Sequence, residues 1–218
     1  MKILGVEQLA IPEVAVIRFG RFADDRGYFT ETFRRSDFQT HPLVAPFLRG
    51  VEFVQTNESF SLPGTVRGLH FQWNPYVGKL IRTARGRMVD LVMDIRRGAP
   101  TFGQIIAYDM PSTPAMPYQD WIWVPPGFAH GNFFTEETQI EYYCTGEYNP
   151  ACEAGISPLA PDLDWSRCDP RLKALFDEIA PTSARVSAKD KAGMTLAAWA
   201  ADPRGTNFVY RPGGLAAA

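Results

Sequence analysis

The chain contains no apolar run approaching the ~18 residues of a membrane span, and its start lacks the pattern of a secretory leader, so a cytoplasmic location is expected. It has only three cysteines, Cys144, Cys152 and Cys168, an odd number without metal-ligand spacing. Free thiols in a reducing compartment are the natural reading. Only three histidines occur, and none has another two positions on (His70 is followed by Phe71-Gln72), so the His-x-His…Glu…His set of a metal-bearing barrel is missing and metal catalysis is not expected. A net charge of -2 leaves no broad basic face for nucleic acid. There is no Gly-x-Gly-x-x-Gly after a strand and no P-loop, which argues against a bound nicotinamide or nucleotide hydrolysis. Neither Gly-x-Ser-x-Gly nor a catalytic-cysteine signature is present. No repeat, low-complexity segment or linker divides the 218 residues, so one domain is expected.

What is present reads as strands and turns. The 18 glycines, 18 prolines and 13% aromatic share suit a β protein better than a helical bundle. Val14–Phe19, Tyr28–Phe33, Val51–Asn57, Leu80–Arg85, Met88–Ile95, Gln104–Tyr108, Trp121–Pro125 and Gln139–Thr145 are strand-like, with a turn expected at Gly86 and a less regular stretch over 36–50. About ten short strands over 14–148 signal a sandwich or jelly roll. After Trp165 the period becomes helical: Leu172, Leu175, Phe176 and Ile179 follow Asp169 as N-cap and Pro170 at the first helical position. A second helical stretch is expected over 187–201. The core is thus placed at 14–165 and a helical segment at 169–201, packed on the barrel. Residues 216–218, three alanines, are set aside from fold reasoning.

One stretch breaks the apolar pattern of a buried sheet. Gly64 to Leu80, G-T-V-R-G-L-H-F-Q-W-N-P-Y-V-G-K-L, sets Arg67, His70 and Lys79 among Val, Leu, Phe and Trp. Strict alternation places Val66, Gly68 and His70 on one face, and Arg67, Leu69 and Phe71 on the other. An unpaired buried cation is expensive. Either the stretch is a solvated edge hairpin turning at Asn74-Pro75, or it forms the polar floor of an anion-binding pocket with His70 as its titratable group. Asp90 raises a similar question, because Asp is seldom fully buried unless paired. It pairs with a pocket cation or lies at a rim.

These side chains suit proton transfer next to a carbonyl. His70, of a type with reference pKa near ~6.5, could act as base at neutral pH. A phenol, Tyr142 or Tyr143, could return a proton from the opposite side, while Arg67 and Lys79 could hold phosphate or an enolate oxygen. Singly, each has a plainer reading: strand tyrosines are mostly core and lysines mostly solvated.

Taken in order, Asp24-x-Arg26-Gly27, Gln55-x-Asn57-x-Ser59, Arg67-Gly68-Leu69-His70-Phe71-Gln72, Gly78-Lys79-Leu80, Asp90, Pro100-Thr101-Phe102-Gly103 and Pro126-Gly127-Phe128-Ala129-His130-Gly131 resemble the dTDP-4-dehydrorhamnose 3,5-epimerase family. The resemblance covers roughly Val14 to Trp165 and Ser187 to Asp190. It implies a mainly β, cupin-type double-stranded β-helix, or jelly roll, with the C-terminal helices packed on the barrel. It also implies a homodimer, a nucleotide-linked (dTDP) 4-keto-6-deoxy sugar as substrate, and neither metal nor other cofactor. Position by position, His70 matches the general base, Asp190 its orienting partner with Asp90 close by, and Tyr142 the acid. Lys79 and His130 match groups around the keto oxygen and sugar. Arg26, Glu31, Gln55, Thr56, Asn57, Arg67, Glu153 and Lys189 match positions that bind the nucleotide, its diphosphate or the substrate. The implied reaction inverts C3, C5 or both through an enolate, a step of deoxysugar and dTDP-rhamnose biosynthesis. Tyr143 stands where the family has Lys, Tyr76-Val77 where it has Ala-Gln, and His41 to Gly50 looks inserted. A 3-only or 5-only epimerase, or one acting on a GDP-heptose, would keep the same groups. A non-catalytic sugar-nucleotide-binding cupin would not need an opposed acid and base.

Overall fold

The computed structural model describes residues 1–211 and 214–215, so residues 216–218 lie outside the described residues. In chain order the strands are β1 (Ile3–Gln8), β2 (Ala15–Gly20), β3 (Phe22–Asp24), β4 (Gly27–Phe29), β5 (Gln55–Ser61), β6 (Val66–Gln72), β7 (Lys79–Asp94), β8 (Ile105–Ser112), β9 (Tyr118–Val124), β10 (Phe128–Phe134), β11 (Thr138–Cys144), β12 (Glu153–Gly155), β13 (Tyr210–Arg211) and β14 (Gly214–Leu215). The helices are α1 (Arg35–Thr40), α2 (Ala45–Leu48), α3 (Pro170–Ile179), α4 (Ala188–Lys191) and α5 (Leu196–Ala201). The main strands form two antiparallel sheets, ordered β1-β2-β9-β7-β11-β5 and β8-β7-β10-β6-β12. The expected mainly β jelly roll is the fold observed.

Strand β7 belongs to both sheets. Its first half pairs with β9 and β11, its second with β8 and β10. The crossing point is Gly86, where φ is 94° and a Cβ would strike the Glu137 carbonyl. The turn expected there is instead a kink in one continuous strand.

Side-chain parity sorts the apolar residues into three clusters. Val16, Ile81, Met88, Val92, Ile122, Val124, Phe128, Phe134 and Ile140 meet between the sheets. Ile17, Phe19, Leu80, Trp121, Trp123 and Tyr143 face outward from the first sheet, beneath Phe38, Val44 and Leu48 of the α1–α2 segment. On the outer face of the second sheet, Leu69, Phe71, Leu91, Met93 and Phe133 pack under Phe176, Trp199 and Phe208. Each sheet is therefore buried on both faces, which is why the second half of β7 and the end of β9, residues 88–93 and 121–124, are apolar on both faces apart from Asp90.

Several boundaries differ from the sequence reading. Helices of six and four residues occupy the stretch read as less regular, since so short a helix barely completes one apolar period. The first strand lies before residue 14, at Ile3–Gln8. Val51 to Phe53 carries no ladder and pairing begins at Gln55, while β4 ends at Phe29. The helix after Asp169 forms as expected, its N-cap carboxylate accepting from the Arg171 N–H at 2.8 Å. The second helical stretch breaks into α4 and α5 around Gly193. No helix among the described residues is long and apolar enough to cross a membrane.

Candidate active site

A local irregularity in β6 sets the site. Opposite β10, His70 faces His130, but the register then slips and Arg67 faces Asn132. Gly68 sits at the slip with φ 112°, against the Gly131 backbone, where a Cβ has no room. The extra residue puts Leu69 and Phe71 in the same outer cluster as Val66 and aims His70 and Gln72 at a cavity. Strict alternation, which put Val66 and His70 on one face, fails here because of the bulge.

The cavity, about 300 Å³, lies between the sheets, and His70, Lys79, His130, Tyr142, Glu153, Gln55 and Asn57 all line it. The Gly64–Leu80 stretch is therefore not a solvated edge hairpin: it sends His70 and Lys79 into a polar cavity, although the chain does turn at Asn74-Pro75. Imidazole His70 reaches it from β6, and its Nε2 stands 2.7 Å from Oδ1 of Asp190, a residue only 7% exposed. Burial pushes the Asp190 carboxyl upward, but the hydrogen bond and charge of His70, with Ser187 and the Gly68 N–H, outweigh it and hold the group below the usual Asp range. A second pair lies deeper: His130 Nε2 and Asp90 Oδ1 are 2.7 Å apart, both buried. Asp90 thereby finds a partner inside the barrel rather than at a rim. Burial lowers the His130 pKa, aided by the nearby Lys79 and His70 and opposed by Asp90, so the ring is neutral at ordinary pH.

Lys79 and Tyr142 complete the interior. Burial lowers the Lys79 pKa against the opposing pull of Cys144, Asp90 and Glu153; among the described residues no ion pair neutralises it. Burial raises the Tyr142 pKa, so its phenol keeps its proton. Tyr143, the neighbour on β11, points the other way and stacks on Trp121 with centroids 5.2 Å apart. The two tyrosines left open by the residue chemistry are distinguished by strand parity alone. At the mouth Glu153 accepts from Lys189 Nζ at 2.6 Å and from the Tyr148 hydroxyl at 3.0 Å. Gln55 donates to Asn57 at 3.0 Å and accepts from the Tyr148 N–H.

Not every residue singled out from sequence comes to this cavity. Arg67 stays beside it, bonded to Ser61 Oγ at 3.1 Å, close enough for its charge to act on Tyr142. Thr56 faces outward, paired across the ladder with Tyr143. On the β3–β4 hairpin, exposed Arg26 pairs with Asp24 at 2.6 Å. Glu31 binds Arg34 and, at 3.2 Å, the terminal amine of Met1. Conversely, the cavity includes Gln72, Cys144 and Tyr148, which sequence reasoning missed. The signal for Tyr148 was its place just before Asn149-Pro150, a turn that follows directly on the last clear strand. Among the described residues no three His, Cys, Asp or Glu side chains gather as a metal-ligand set.

An imidazole backed by a carboxylate, a protonated phenol from the other sheet and an ammonium thus share one partly desolvated space. That combination can move protons to and from carbon and stabilise an oxyanion. Comparison with known proteins points the same way. The family model for dTDP-4-dehydrorhamnose 3,5-epimerase matches residues 8–198. A dTDP-4-dehydrorhamnose 3,5-epimerase of Sinorhizobium fredii is 40% identical over 154 residues, covering 69% of this chain and 73% of the relative. One from Shigella flexneri is 34% identical over 173 residues, covering 78% and 91%. Among solved structures, the dTDP-6-deoxy-D-glucose-3,5-epimerase of Legionella pneumophila, crystallised with dTDP-4-keto-L-rhamnose, superposes with a TM-score of 0.72 at 31% identity, over 88% of this chain and 93% of that one. Sequence, fold and cavity agree, and the chain belongs to the dTDP-4-dehydrorhamnose 3,5-epimerase family.

Proposed function

We propose that the protein is an isomerase that inverts C3, C5 or both in a dTDP-linked 4-keto-6-deoxy hexose. The observation that carries this is the entry of His70 from β6 and of Tyr142 from β11, on opposite sheets, into one cavity that also holds the Lys79 ammonium. With Nε2 engaged by Asp190, Nδ1 of His70 removes the proton next to the C4 carbonyl, and Asp190 stabilises the imidazolium that forms. The electron pair moves onto the C4 oxygen, where Lys79 stabilises the enolate. Tyr142 then delivers its proton to carbon from the other face. Neutral His130, its Nε2–H directed at Asp90, presents Nδ1 as an acceptor for a sugar hydroxyl. Acid and base groups so placed contribute ~10²–10⁴-fold each.

Gln55, Asn57, Arg67, Glu153 and Lys189 serve nucleotide and diphosphate at the mouth. Arg26 and Glu31 do not reach their own cavity, and Thr56 faces away from it. A homodimer would give the hairpin carrying Arg26 a partner surface, since Phe22, Tyr28 and Phe29 stand exposed there. One domain, with the C-terminal helices as its outer layer, and a reducing cytoplasmic setting for its three free thiols complete the reading. A non-catalytic binding role leaves the opposed His70 and Tyr142 unexplained.

Incubation with dTDP-4-keto-6-deoxy-D-glucose in D₂O should place deuterium at C3, C5 or both, with inverted configuration, as read by NMR. Absence of incorporation there and in a panel of GDP-linked 4-keto sugars would overturn the reading. The two tyrosines give a sharper test. Tyr142→Phe should retain some carbon–hydrogen exchange yet form little inverted product, whereas Tyr143→Phe should be nearly silent because its ring only packs on Trp121. The reverse outcome would move the acid to Tyr143. Finally, since burial lowers the Lys79 pKa, kcat/KM should fall at alkaline pH as Lys79 loses its proton. Lys79→Met should lower kcat/KM by ~10²–10³ and abolish that limb; a limb that persists in Lys79→Met belongs to another group.

A further inference from the structure

A base that takes a proton from carbon must lose it before it can act again. Each inversion leaves His70 with one proton too many and Tyr142 with one too few. Once a nucleotide sugar fills the front cavity, His70 cannot shed that proton through the mouth. The 30% exposure of its side chain therefore matters, because part of it lies on the other side of β6. A second pocket of about 220 Å³ opens there, bordered by Gly68, Gly155, Asp190, Ala192 and Arg204. Among the described residues His70 is the only one that lines both this pocket and the front cavity. Asp190 lines the rear pocket but not the front cavity, so the whole His70–Asp190 pair is open to the back.

The wall is built to stay open beside the imidazole. Gly155 lies directly across the ladder from His70, and a Cβ there would come within 3.2 Å of the ring's Cδ2. The remaining border is backbone from the Gly155–Ile156 and Gly193–Met194 segments, tied by the Met194 N–H to the Gly155 carbonyl, together with two cationic heads. Both heads are engaged outside, Lys189 by Glu153 and Arg204 by Asp202, so neither occupies the carboxylate of Asp190. The space is polar and roomy enough for a short chain of waters.

We propose that this rear pocket is the route by which the His70–Asp190 pair exchanges its captured proton with solvent while substrate occupies the front cavity. The step balances. Imidazolium gives its proton to pocket water and returns to neutral imidazole while the sugar is bound, and the Tyr142 phenolate regains a proton from water at the front once product has left, with no net change. A depression that reaches Asp190 past Ser187 and Arg185 does not touch the imidazole, so it does not replace this route.

This inference rests on the epimerase reading, and one experiment separates the two. Wild-type protein would be incubated with dTDP-4-keto-6-deoxy-D-glucose in D₂O and stopped early, and deuterium measured in both the inverted product and the recovered substrate. Label in recovered substrate reports exchange of the base's proton before it returns to the same face. The wild-type protein should give labelled substrate. Ala192→Trp, which fills the rear pocket from an exposed position outside the catalytic groups, should lower that label severalfold relative to product formed. Arg204→Ala, which widens the pocket, should keep or raise it. Recovered substrate that carries only protium in wild type would overturn the proposal. So would label that is unchanged by Ala192→Trp, or reduced by Arg204→Ala, while inversion continues. Absence of both inversion and label in wild type would instead sink the epimerase reading.

Discussion

Burying charge between two apolar sheets is the constraint on which this molecule turns. The barrel interior is lined by Met88, Val92, Phe128 and Phe134, yet Asp90, His130 and Lys79 project among them. Desolvation disfavours every charged form there. The structure meets it by pairing: Asp90 with His130 inside, Asp190 with His70 at the wall, Glu153 with Lys189 at the mouth. Lys79 is left without a carboxylate partner among the described residues, and its pKa falls accordingly. A desolvated ammonium next to neutral imidazole and neutral phenol suits a site whose negative charge arrives only with the enolate, because attraction is strong where water is excluded.

Strand β7 makes that arrangement possible. By crossing from one sheet to the other at Gly86 it carries both Lys79 and Asp90, and it brings β11 with Tyr142 and β10 with His130 alongside a common interior. The outer layers do a different task. The C-terminal helices and the α1–α2 segment seal the two outer faces.

Much of this was legible in the chain. The strand-and-turn texture, the Asp169-Pro170 helix start and the ordered motifs around His70, Lys79 and His130 are local features, and local features survive in a sequence. What escaped depends on three-dimensional context. The slip at Gly68 reverses the face of His70, and no residue pattern separates a bulge glycine from one in a regular strand. Asp90 finds its partner only when β7 and β10 lie side by side, forty residues apart in the chain. Tyr148, Gln72 and Cys144 reach the cavity through loop closure and register rather than through residue type. Arg26 and Glu31 show the converse: motif residues whose own chain holds them away from the cavity.

The central claim is geometric: one sugar ring held between a base and an acid on opposite faces. A crystal structure of this protein with dTDP-4-keto-L-rhamnose in the cavity tests it most directly. The account predicts the ring between Nδ1 of His70 and the Tyr142 hydroxyl, with the C4 oxygen toward Lys79. A ring that meets both groups on the same face, or a nucleotide sugar seated outside this cavity, would contradict it.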